Sequence, residues 1–182
     1  SLSFIIFLPI VFSLYWLSYN KQLYQNIILL IGSYIFYSFW DWRFLSLIMI
    51  STITDYIVGL QIDHQDKKNI KRKLLYSSII INIGILFIFK YYDFFIISWL
   101  DLCSSFGYEA NNKWTIELIL PLGISFYTFQ TMSYSIDVYF GKIKPTKNFI
   151  TFASYVSFFP QLVAGPIERA SNIIPQLEKN RF

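Results

Sequence analysis

Charge is scarce in this chain: Asp, Glu, Lys and Arg make up 14% of its 182 residues, where a soluble domain carries about a quarter. So few charges cannot cover a water-facing surface, which excludes an ordinary soluble domain. Cysteine occurs once, at Cys103, and histidine once, at His64. The lone cysteine excludes an internal disulfide framework, and with one histidine it leaves no metal site of the usual ligand count. Glycine-rich phosphate loops, nucleophile elbows and paired catalytic carboxylates are missing. The net charge is only +4. Its uneven placement points to membrane topology rather than to a nucleic-acid partner.

What the chain has instead is apolar and aromatic surface, at 55% and 21% of its residues. A membrane-crossing helix needs about 20 mostly apolar residues. Five stretches qualify or nearly so, near 2–19, 24–40, 44–60, 74–89 and 116–140. A sixth, 149–167, contains Pro160, Gly165 and Pro166 and is expected to bend or to stop part-way. The short run Phe94 to Phe106, broken by Asp101, is expected to lie along a surface or to re-enter. The fold class expected is an all-α integral membrane protein of five to six transmembrane or re-entrant helices. The first stretch has no basic leader and no small-residue cleavage site ahead of Ser18, so it reads as a retained helix. No internal repeat suggests the paired halves of a transporter.

Lysine and arginine set the expected orientation. The polar stretch Gln61 to Lys73 holds Lys67, Lys68, Lys71, Arg72 and Lys73, and the segment after the fifth span holds Lys142, Lys144 and Lys147. The positive-inside rule puts both in the cytoplasm. Lys21 then falls inside, the Asp41–Arg43 turn and Gly107 to Lys113 outside, and the N-terminus outside. Basic side chains so placed can also meet anionic lipid head groups.

Ionisable residues inside spans are functional hypotheses by default. Asp55 and Asp137 each lie a few residues from the cytoplasmic end of a span. Pairing with basic loop residues, or capping of a neighbouring helix, is the plain reading of both. Phe126, Gln130, Ser133 and Asp137 share one helical face. That stripe serves either as interhelical hydrogen bonding or as the lining of a polar path. His64, between Asp63 and Gln65 in a charged loop, has no apolar shelter and reads as a solvated residue without a catalytic role.

Leu120 to Arg169, LPLGISFYTFQTMSYSIDVYFGKIKPTKNFITFASYVSFFPQLVAGPIER, resembles the signature region of membrane-bound O-acyltransferases. FFPQLVAGPI, Phe158 to Ile167, is its most specific piece. Phe7 to Trp16, Ser33 to Phe44 and Lys90 to Phe95 add further likeness, and so does the tail ASNIIPQL. The wording is nearer the bacterial alginate and polysaccharide O-acetylation branch than the branch that D-alanylates teichoic acids.

The resemblance implies transfer of an acyl group from acetyl-CoA or another acyl thioester towards a polysaccharide acceptor, with an acetyl-transferring partner protein on the outer side. No bound cofactor, metal or nucleic acid is implied. The location implied is the cytoplasmic membrane, multi-pass. The family's supposed catalytic histidine lies in its later half, and no histidine occurs here in any span. Residues 1–182 therefore read as the N-terminal part of one such domain, inactive alone and without a catalytic residue. Gln161 and Arg169 match the motif as funnel-lining or structural residues. Gln130 and Asp137 join them from the polar stripe, and Pro160, Gly165 and Pro166 shape the broken segment. The rival readings are a transporter or channel using the polar stripe, and an inactive structural fragment.

Overall fold

The computed structural model describes residues 2–107, 123–166 and 168–180. Among these the regular structure is helical: α1 (Leu2–Leu17), α2 (Gln22–His64), α3 (Lys68–Leu86), α4 (Tyr92–Ser105), α5 (Ile124–Tyr139), α6 (Phe149–Ser157), α7 (Phe159–Ala164) and α8 (Ala170–Glu178), with a π turn at Phe87–Tyr91 joining α3 to α4. Two helical stretches, Leu45–His64 and Lys68–Ser105, are long and apolar enough to cross a membrane. The first part of the fifth expected span, most of Gly107 to Lys113, and Ile167 lie outside the described residues.

Two expected spans, 24–40 and 44–60, are carried by the single helical run α2. Thirty residues of straight helix separate Asn26 from Tyr56 by about 45 Å. Both nevertheless touch one turn of α6: Asn26 Nδ2 donates to Thr151 Oγ1 at 3.3 Å, and the Tyr56 ring sits 5.2 Å from Phe149 and 5.8 Å from Phe152. The run therefore folds back on itself. Residue 41 is the midpoint between the two contacts and falls in the expected Asp41–Arg43 turn. The element nonetheless runs unbroken from Gln22 to His64.

The basic stretch Gln61 to Lys73 is mostly helix rather than loop, since α2 ends at His64 and α3 starts at Lys68. The short run after Tyr91 is helical. It continues α3 through the π turn as α4, in which no described residue is buried. Phe87 and Phe95 are eight residues apart, about 12 Å along a straight helix, yet their rings stack at 5.4 Å. A π turn bends a helix in this way. Lys90 within it donates to Ser125 Oγ at 3.0 Å, tying the bend to the start of α5.

The segment 149–167 breaks as expected. Asn148 Oδ1 caps α6 by accepting from the backbone of Ile150 and Thr151. The backbone then leaves the helix at Phe158, with φ −56° and ψ 98°. Pro160 sits in the first turn of α7, where its missing N–H costs little. At the end of α5, Gly141 has φ +70° and closes a Schellman motif: Lys142 N–H donates to Asp137 O and Gly141 N–H to Val138 O.

Packing gathers the helices around α2, which contacts α1, α3, α5 and α6. Lys21, the basic turn between α2 and α3, and the segment after α5 share one end of the bundle. Tyr56 donates its hydroxyl to Lys147 O, Gln22 and Asn26 reach Leu177 O in α8, and α6 begins beside them. Spin labels at the exposed positions Leu23 and Ile57 test the fold-back. A straight α2 places them about 50 Å apart, and the expected dipolar distance is below about 30 Å.

Candidate functional site

The most concentrated buried polarity lies where α2, α3 and α5 meet. Asp55 is fully buried, and its two carboxyl oxygens accept from three side chains. Ser78 Oγ and Ser135 Oγ donate to Oδ1, the latter at 2.7 Å, and Asn82 Nδ2 donates to Oδ2 at 2.7 Å. Asn82 Oδ1 in turn accepts from Ser51 Oγ, with Thr131 Oγ1 at 3.3 Å. Ser51, Asn82, Thr131 and Ser135 are all fully buried.

The arrangement follows from helical spacing. Ser51 and Asp55 are four apart on α2, Ser78 and Asn82 four apart on α3, and Thr131 and Ser135 four apart on α5, so each pair lines one face. No cationic partner of Asp55 occurs among the described residues. The plain sequence reading, pairing with a basic loop, does not describe Asp55; hydroxyl and amide donors hold it instead. Close beside it Tyr134 packs on bare backbone, where a β-carbon on Gly59 would lie 2.8 Å from the ring.

Asp137 does follow the plain reading. It pairs with Lys142 at 3.5 Å, at the same end of the bundle as the other basic segments, with the Lys142 side chain 58% exposed. Gln130, fully buried, donates from Nε2 to Tyr155 O at 3.0 Å and so ties α5 to α6. Ser133 turns back to Gln130 O in its own helix. Gln130, Ser133 and Asp137 all act on the buried Tyr155 phenol of α6, so the expected stripe shares one neighbour. A second polar face of α5 carries Thr128, Thr131 and Ser135, all fully buried.

In the signature segment, Gln161 is buried and folds over the end of α7, donating from Nε2 to Pro166 O at 3.0 Å. Gly165 N–H donates to Gln161 O at 2.8 Å. A β-carbon on Gly165 would lie 2.9 Å from Gln161 Cα and Cγ, so only glycine fits. Pro160 and Pro166 are exposed, as is Arg169 just before α8. Gln161 and Arg169 share no hydrogen bond among the described residues. His64 is exposed at the end of α2, with Nδ1 2.8 Å from Leu60 O of its own last turn. No group of His, Cys, Asp and Glu able to hold a metal occurs among the described residues.

A buried network of this kind and a glycine-locked broken helix are features of a polar-cored bundle, and the sequence has relatives among known proteins. The chain is 38% identical over 94% of its length to a probable alginate O-acetylase AlgI of Pseudomonas aeruginosa, covering 32% of that protein. The chain is homologous to bacterial O-acetylases. It is 39% identical to the corresponding protein of Pseudomonas putida, with 94% of the chain and 35% of the relative aligned. A peptidoglycan O-acetyltransferase of Helicobacter pylori is 34% identical, over 94% of the chain and 37% of that enzyme. The chain spans about a third of the length of the curated relatives it matches. No family profile and no solved structure matches it.

Two substitutions separate the carboxylates. Asp55→Ala leaves three buried donors unmet and is expected to cost about 2–4 kcal/mol, read as a lowered unfolding midpoint in detergent. Asp137→Ala removes a single pair to a half-exposed lysine, with Asp137 itself buried, and is expected to cost about 1 kcal/mol, moving the same midpoint less than Asp55→Ala.

Proposed function

We propose that this chain is the scaffold part of a multi-pass membrane O-acetyltransferase acting on a cell-envelope or exported polysaccharide. The observation that carries this reading is the identity of 34–40% with named O-acetylases across nearly the whole chain. A membrane location is supported by the apolar exterior: Ile5, Ile6, Phe12, Ile80, Phe94 and Trp99 are among many large side chains left exposed. Such a surface suits lipid and not water.

In this reading the three basic segments at one end of the bundle lie in the cytoplasm and the N-terminus outside. The acyl donor is acetyl-CoA or another acyl thioester arriving from the cytoplasmic side. An outer partner protein passes the acetyl group to the glycan. Gln161, Gly165 and Pro166 hold the broken segment in shape beside the transfer path. His64, an exposed residue at the end of α2, is not the proton-transfer residue in this reading.

The test is expression of the full-length gene in a bacterium whose own polysaccharide O-acetylase has been deleted. Restored acetyl esters on the exported glycan are expected, and their continued absence at normal protein levels would count against the reading. In the same strain Gly165→Ala should lower ester content at least several-fold, since the overlap with Gln161 backbone forces the segment to shift.

A further inference from the structure

A cavity of about 570 Å³ opens between α1 and α8, within the range of about 300–1,000 Å³ that ligand sites occupy. Leu8, Phe12 and Trp16 of α1 line it, four residues apart and so on one face. Leu29 of α2 and Leu177 of α8 supply facing walls. The eight residues from Leu8 to Trp16 carry the cavity about 12 Å along α1. One leaflet of hydrocarbon is about as deep, half of a core roughly 30 Å thick.

The two ends of the cavity differ in chemistry. Phe159, at the α6–α7 break, closes the Leu8 end, and its ring lies 5.5 Å from that of Phe7. Lys179 lies at the other end, where Gln22 Nε2 donates to Leu177 O at 2.7 Å. That bond brings Lys21, also exposed, to the same corner. Lys179 is the one charged side chain among the described residues that line the cavity, and Glu178 before it is not among them. This corner belongs to the end of the bundle that carries the basic segments, cytoplasmic in the topology proposed above.

A long apolar slot with a cation at its interfacial end fits an amphiphile. A hydrocarbon chain satisfies Leu8, Phe12 and Leu29, and an anionic head group satisfies the lysine. Leu8, Phe12 and Trp16 are 40–62% exposed, so the slot is open sideways to lipid. A water-soluble anion would leave the apolar walls unused, and a neutral lipid would leave the charge unused.

We propose that the cavity between α1 and α8 holds an anionic phospholipid of the cytoplasmic leaflet. Its acyl chain runs along Leu8, Phe12 and Trp16 as far as Phe159, and its head group meets Lys179. The proposal rests on the membrane location in the reading above and not on acetyl transfer.

The full-length protein in detergent is titrated with phosphatidylglycerol or phosphatidylcholine carrying the same brominated acyl chains, which quench tryptophan on contact. The quenching lost in Trp16→Phe isolates the ring that lines the cavity. Phosphatidylglycerol is expected to quench Trp16 at roughly fivefold lower concentration than phosphatidylcholine, the preference one lysine confers on an anionic lipid. Lys179→Gln, at an exposed position, should remove that preference, while Lys68→Gln in the basic turn should keep it. Equal quenching by both lipids, or a preference that survives Lys179→Gln, overturns the proposal. So does an absence of Trp16 quenching by either, which would mean that another part of the protein fills the cavity. Membrane location is read separately, from the washed membrane fraction of the expressing cells. Recovery in the soluble fraction would sink that reading, and the lipid titration would still decide the cavity.

Discussion

The bundle depends on one buried carboxyl group. Asp55 has no cation beside it among the described residues, so its oxygens must be met by neutral donors, and those donors come from α3 and α5. A hydrophobic contact tolerates sliding. Three hydrogen bonds to one carboxyl group do not, because a shift of one residue in any helix strands a buried donor. Asp55 therefore fixes the register of three helices at once. In an apolar surrounding, where side-chain packing has few directional preferences, that supplies specificity that leucine and isoleucine cannot.

Two constraints of shape complete the arrangement. Gly59 gives Tyr134 a bare backbone to lie on, one helical turn beyond Asp55. Gly165 lets the chain turn closely over Gln161 after α7. Both are positions where a methyl group would collide, and both sit beside polar residues whose geometry they protect. The α6–α7 break adds Pro160 at a helix start, where the ring is compatible with the backbone and the chain cannot continue the preceding helix.

Much of this was legible from residue order. The apolar composition announced helices, and Pro160, Gly165 and Pro166 announced a broken segment, which the structure interrupts at Phe158. The basic segments, set at one side by the charge rule, do lie at one end of the bundle. Less legible was the partnership of Asp55. Its spacing from a span end suggested a lysine nearby, and nothing local to it pointed to Ser78, Asn82 or Ser135, which lie 23 to 80 residues away. The clue was present as three separate i, i+4 polar pairs, but pairs of serines and threonines are common in helices and gain meaning only when three converge. The continuity of α2 through residue 41 was also hidden, because two apolar runs separated by Asp41–Arg43 read as two spans.

The fold-back of α2 has a consequence for assembly. Its two legs flank α6, which is made long after both of them as the chain emerges from the ribosome. Until then the inner faces of the legs, with Asn26 on one and Tyr56 on the other, have no wedge between them. The first three helical segments therefore form an unfinished cleft that waits for a later part of the same chain. An interruption of synthesis before α6 would leave that cleft open to whatever apolar helix passes next.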